Sequence, residues 1–241
     1  LLVGTPLEAP GWQFYLFTLL TGVTGALGNG YLVKALRSGD LSVLGPINAW
    51  KAVVGLMTAY LLTGERPGWG GLPGIVLIIV GSYALLGVRG EGLRRGILRQ
   101  PAIRYRILAL LLTGVQAVFD KQVIRYSNLR LALVSWAVGG GVFALLWMRL
   151  QRVDLSSGLA RLKGRDILWY LALAGSIGLM VVSTNYTFSR MPVGEALALF
   201  QLSILVSVVF GVRIFNEGDP GRKLIGALIM GAGSALILLI D

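Results

Sequence analysis

Apolar stretches separated by short polar breaks run the length of this chain. Eight of them are near the ~20 residues an α-helix needs to cross a bilayer. They cover about 12–33, 41–63, 72–88, 107–124, 131–149, 167–189, 194–213 and 222–240. None alternates with the period of a half-buried strand, so each predicts a membrane helix. The connections at 89–106 and 149–166 are longer and Arg-rich. They predict solvated loops, with a short surface helix as the alternative where Leu155, Leu159 and Leu162 share a face. The pattern predicts no separate soluble domain.

The pattern also repeats. Residues 193–240 restate residues 41–88 at an offset of 152 positions. Glu65 falls on Glu217, Gly74 on Gly226, and Gly81-Ser82 on Gly233-Ser234. A fixed offset inside an apolar chain predicts a duplicated helical bundle. Three apolar stretches precede the second copy and only one precedes the first, so the first two helices of the first copy are expected to be missing from this sequence.

Composition supports a bilayer protein. The chain is 55% hydrophobic and 14% charged, against about 25% charged residues in soluble domains. Its 34 glycines suit closely packed membrane helices. There is no cysteine and no histidine, which excludes thiolate and histidine metal sites and histidine-based triads. No cofactor is expected. The net charge of +11 reads as topology and lipid-headgroup charge rather than nucleic-acid binding. Lys and Arg divide 16 to 5 between the two sides, with Lys51 left inside a span. The richer side is expected to be cytoplasmic, placing both ends of the chain outside.

Lys51 is the sharpest chemical signal. A charge at bilayer depth costs roughly 2.5–3.5 kcal/mol on insertion scales, so it faces a cavity or a partner. Asn48, three positions earlier, shares its helix face. Pro46 predicts a break in the same helix, serving either a substrate site or a simple packing kink. Together they predict a cavity cation for a carboxylate or phosphate; a buried lysine paired with an acid is the alternative. Gln116 and Gln201 are further cavity candidates. The clusters around Asn29 and Asn185–Tyr186 end the helices that precede each copy and serve either ligand contact or helix–helix bonding. Glu195 reads as a first-turn acid favoured by the helix dipole, with a role in transport as the alternative. Asp120 reads as an interface charge. Glu65 and Glu217 read as architectural, receiving hydrogen bonds at turns.

The segments NGYLVKALRSGDLSVLGPINAWKAVVGLMTAYLLTGERPGWGGLPGIVLIIVGSYALL and TNYTFSRMPVGEALALFQLSILVSVVFGVRIFNEGDPGRKLIGALIMGAGSALIL each resemble the second half of an EamA repeat, the unit of the drug/metabolite transporter superfamily. The resemblance implies ten helices in two inverted five-helix repeats. Here it gives an all-α membrane protein of eight transmembrane helices, an incomplete two-repeat bundle. Residues 1–90 would be a partial first repeat and 104–241 a complete second one. It further implies a central cavity lined by the spans 12–33, 41–63, 107–124, 167–189 and 194–213. Family members often hold both termini in the cytoplasm, opposite to the charge count here.

The expected function is secondary transport of a small anionic or zwitterionic metabolite by alternating access. A flippase for a lipid-linked carrier is the alternative, and an intramembrane enzyme is disfavoured by the missing histidine, cysteine and acid pair. The expected partners are a small-molecule substrate and the lipid bilayer, with homo-oligomerisation open. The expected location is a bacterial inner (plasma) membrane, with multiple passes.

Overall fold

The computed structural model describes residues 10–38, 47–48, 50–69, 71–86, 100–152, 163–203, 206 and 220–240. Among these residues the protein is all helical, with eight helices and no strand. They are α1 (Trp12–Ser38), α2 (Lys51–Thr63), α3 (Gly71–Leu86), α4 (Pro101–Arg125), α5 (Leu129–Leu150), α6 (Gly164–Phe188), α7 (Val193–Phe200) and α8 (Pro220–Ile240). Four of them, α1, α4, α5 and α6, are long and apolar enough to cross a membrane.

Local chemistry sets the helix ends. α4 begins at Pro101, whose fixed φ and missing N–H suit a first helical position. The Gln100 carbonyl accepts the N–H groups of Ile103 and Arg104. Residues expected in a loop at 101–106 are therefore helical, because a proline start followed by helix-tolerant residues extends the span backwards. Asn128 caps α5, its Oδ1 accepting from the Arg130 and Leu131 N–H groups at 3.1 and 2.9 Å. α2 stops at Gly64, which adopts a left-handed φ of 67° and donates its N–H to the Tyr60 carbonyl.

The chain divides into two compact units. One comprises residues 1–26 and 119–190, the other 27–118 and 191–241. In the first, Phe14, Val123 and Ala132 form a small core against Phe17, Ile124 and Leu131. Phe17 stacks on Tyr126 with ring centroids 5.7 Å apart, and the Phe143 ring lies against Gly22. Most of α5 and α6 presents apolar side chains outward, including Leu145, Leu146, Leu168, Trp169 and Leu179.

The second unit is packed more deeply. Its most extensive helix contact joins α3 to α8, followed by α2 to α7. A Cβ at Gly74 would lie 2.7 Å from the Gly233 carbonyl oxygen, and one at Gly81 would lie 2.8 Å from that of Gly226. The helices are thus in backbone contact, a spacing only glycine permits. Moving up α3 from 74 to 81 means moving down α8 from 233 to 226, so the pair is antiparallel. The partners are also crossed. Gly74 and Gly226 are equivalent in the repeat, as are Gly81 and Gly233, yet each touches the other's equivalent.

Candidate functional site

α2 and α7 run side by side in the second unit. Gly55 receives the Leu197 side chain, and a Cβ at Gly194 would meet the Leu56 Cβ at 2.7 Å. These contacts make the pair antiparallel, like α3 and α8. Every residue of α7 from Val193 to Ala198 is buried.

Both elements are interrupted, and at matching points. Residues 47–48 are helical, Trp50 is a turn, and α2 proper begins at Lys51. Trp50 donates its N–H to the Ile47 carbonyl, an i−3 bond that tightens the backbone. Gln201 was expected in mid-helix, but α7 ends at Phe200, with Gln201 as its C-cap. Here Gln201 and Leu202 donate to Ala198 and Leu199, again i−3 bonds. Residues 203 and 206 are helical again. Positions 50 and 202 are related by the 152-residue offset, so the two copies break at one shared place.

The breaks meet through polar side chains. Asn48 donates from Nδ2 to Oε1 of Gln201 at 3.5 Å. Gln201 is 5% exposed and its Nε2 points to the Leu197 carbonyl at 3.5 Å. Both contacts are at the long limit of a hydrogen bond, so neither amide is saturated by the other. Trp50 stays in the right-handed helical region, with φ −68° and ψ −8°. Asn48 and half-buried Lys51 therefore sit about one turn apart. α4 reaches the same stretch: a Cβ at Gly114 would lie 3.0 Å from the Val54 Cβ and 3.6 Å from the Lys51 carbonyl oxygen. Gln116, two residues further along α4, is half-buried.

Asn29 lies in α1 and is exposed. Asn185 is 6% exposed and Tyr186 41% exposed. These last two belong to α6 in the other unit, where the Arg190 guanidinium sits 5.4 Å from the Tyr186 ring centroid. Pro46 and Glu217 lie outside the described residues, as do most of the two Arg-rich loops.

Sequence reasoning undervalued one set of contacts. Oε1 of Glu65, in the turn after α2, accepts the Val193 N–H at 2.9 Å. Oε1 of Glu195, in the first turn of α7, accepts the Gly68 N–H from that same turn, also at 2.9 Å. Val193 is the first residue of α7, so Glu65 satisfies a donor that the helix itself leaves open. Glu195 is 1% exposed, and a Cβ at Gly71 would come within 2.5 Å of its Oε1. From the sequence Glu195 is a first-turn acid, for which the dipole is the simpler reading and a transport role the alternative. Only the fold reveals that each glutamate reaches across to a backbone N–H in the segment carrying the other.

Antiparallel helices, glycine contacts at backbone distance and interrupted segments with polar side chains define a multi-pass helical membrane protein. The model of the EamA-like transporter family matches residues 100–239, and the chain belongs to that family. It is accordingly a membrane transporter of the drug/metabolite kind. A solved structure described only as "Crystal structure of protein" is similar in fold, with a TM-score of 0.75 and 18% identity. The similarity covers 99% of this chain and 81% of that one. A search of the curated proteins finds no match.

Proposed function

We propose that this protein is a secondary transporter that carries a small anionic or zwitterionic metabolite by alternating access. The observation that carries the reading is the meeting of two broken segments, α2 and α7, at repeat-equivalent positions. Interrupted helices free backbone groups, which membrane proteins tolerate where the backbone lines a cavity or is buried in protein. In transporters built from inverted repeats, such breaks at the repeat interface form the substrate site. Asn48 and Gln201 supply donors and acceptors there, and Lys51 supplies the positive charge.

The crossed glycine contacts support an inverted repeat. When position i of one copy touches position j of the other, and j touches i, a two-fold axis relates the copies. An antiparallel pair places that axis across the helices, in the membrane plane. We assign residues 1–90 to the first copy and 104–241 to the second. Asn29 and Gln116, in the same unit as these breaks, are retained as substrate contacts, and Asn185 and Tyr186 are retained as candidates within their own unit. The 16-to-5 charge division supports placing the α2–α3 turn on the outer side of the membrane.

The test is thermal unfolding of the purified protein in lipid nanodiscs against separate panels of carboxylates, phosphate esters, amino acids and organic cations. A ligand that binds only the folded state raises its apparent stability. Stabilisation by members of the first three panels supports the reading. Stabilisation by cations alone, or by lipid-anchored phosphates alone, removes it, and the second outcome favours a lipid-carrier flippase.

A further inference from the structure

Glu65 and Glu195 form a reciprocal clasp. Each carboxylate takes the backbone N–H of the segment that carries the other, at 2.9 Å in both cases. Together they tie the turn after α2 to the start of α7. This is the end of the α2–α7 pair away from the helix breaks at Trp50 and Gln201. Separating the two helices at this end requires breaking both bonds.

The two carboxylates are unequal. Glu65 is half-buried in a turn whose tip is open, with Trp69 91% exposed. Glu195 is 1% exposed, with its Oε1 against Gly71 at the start of α3. No other carboxylate lies on the helices around it. α3 contains no Asp, Glu, Lys or Arg, and α7 contains none besides Glu195. α2 holds only Lys51, at its opposite end. α8 meets this end of α3 through Ile237, far along the helix from Arg222 and Lys223. The turn itself contributes Glu65 and Arg66, and the Arg66 guanidinium lies 6.0 Å from the Tyr60 ring centroid.

Charge governs how firmly Glu195 holds Gly68. A bond to an ionised carboxylate is roughly twice as strong as one to a neutral acceptor. The first turn of α7 also favours negative charge through its dipole. Protonation weakens the bond to Gly68 and removes the dipole contribution at once.

We propose that Glu195 is a proton-operated latch, and that its protonation releases the clasp and opens this end of the α2–α7 pair. The proposal rests on the transport reading above and adds a control of access to its site. With the turn on the outer side, a proton arriving from outside opens the outer mouth, and loss of that proton lets the clasp re-form.

The chain contains no cysteine, so a clean distance probe can be placed across the clasp. Trp69→Cys and Met191→Cys are spin-labelled in the full chain in nanodiscs, and the distance is measured by electron–electron resonance between pH 5 and pH 8. One titrating group shifts the closed-to-open ratio by at most about tenfold per pH unit. The expected result is a short distance at pH 8 that gives way to a longer one as pH falls. In a Glu195→Gln background the longer distance should dominate at both pH values. Glu195→Asp should restore the response with a displaced midpoint, which a purely structural role would not do. A distance independent of pH, or a pH response that survives Glu195→Gln, overturns the proposal. The probe needs no substrate, so it is independent of the transport reading. A metabolite that stabilises a protein whose clasp ignores pH would leave that reading standing and remove this one.

Discussion

The α5–α6 region and the α2–α7 pair are built to opposite specifications. In the most apolar window of α5, and likewise of α6, only 6% of residues are buried within the protein. Their outward faces are Leu, Val and aromatic, as suits contact with lipid. In α7, six consecutive residues are buried, and one of them is a glutamate. The outward helices follow the hydropathy pattern without interruption. α2 and α7 are short and broken, and each carries one charged residue, Lys51 and Glu195. A helix in lipid must satisfy its backbone by itself, so continuity is enforced there. A helix enclosed by other helices can be broken, because its neighbours supply the missing partners. Glu65 does this for Val193, and Asn48 and Gln201 approach each other where both segments break.

The contrast is broken most severely by adding bulk. Gly74→Leu or Gly81→Leu would drive a side chain into the backbone of α8. Overpacking of this kind costs on the order of 3 kcal/mol, and the folded yield in fluorescence-detected size exclusion should collapse. A Cβ at Gly140 in α5 or at Gly178 in α6 would meet nothing within 4 Å, so Gly140→Leu and Gly178→Leu have room. Each should stay within about 0.5 kcal/mol of the parent. Equal losses at all four sites would erase the distinction.

A smaller effect is expected at the clasp. Glu195→Ala leaves the Gly68 N–H without this acceptor, which costs about 1–3 kcal/mol when the site is sealed from water. Combined with Glu65→Ala, the losses should fall short of or exceed their sum, since the two bonds join the same pair of segments. Strict additivity in chemical unfolding would show that the bonds act independently. In the outward region, Asn128→Ala removes the α5 cap and should cost ~1 kcal/mol, with no change in ligand binding. The least stability loss belongs to Asn48→Ala. Its contact with Gln201 is 3.5 Å long, so thermal stability should shift by no more than about 0.5 kcal/mol. Ligand affinity should nonetheless fall roughly tenfold, corresponding to about 1.4 kcal/mol.

The outward helices were readable from the sequence almost residue by residue. The span expected at 131–149 is the helix Leu129–Leu150, and that expected at 167–189 is Gly164–Phe188. Lipid imposes a length and a composition, and both are local properties. The contact points of α3 and α8 were legible too, as Gly74, Gly81, Gly226 and Gly233, because close backbone contact leaves glycine as its trace. What escaped was long-range. Gln201 looked like mid-helix because the apolar run continues past it, and nothing local marks the i−3 turn there. Glu195 looked like a dipole-favoured acid, since its Gly68 partner is 127 positions away. A side chain that bonds a distant backbone leaves no requirement on the partner's identity, so no sequence pattern records it.

The account's central claim is that the paired breaks hold an anion beside Lys51. Its most direct measurement is calorimetric titration, in nanodiscs, of a stabilising metabolite into the parent protein and into Lys51→Ala. The expected result is binding to the parent and a loss of at least tenfold in the variant. Equal affinity in both proteins would contradict it.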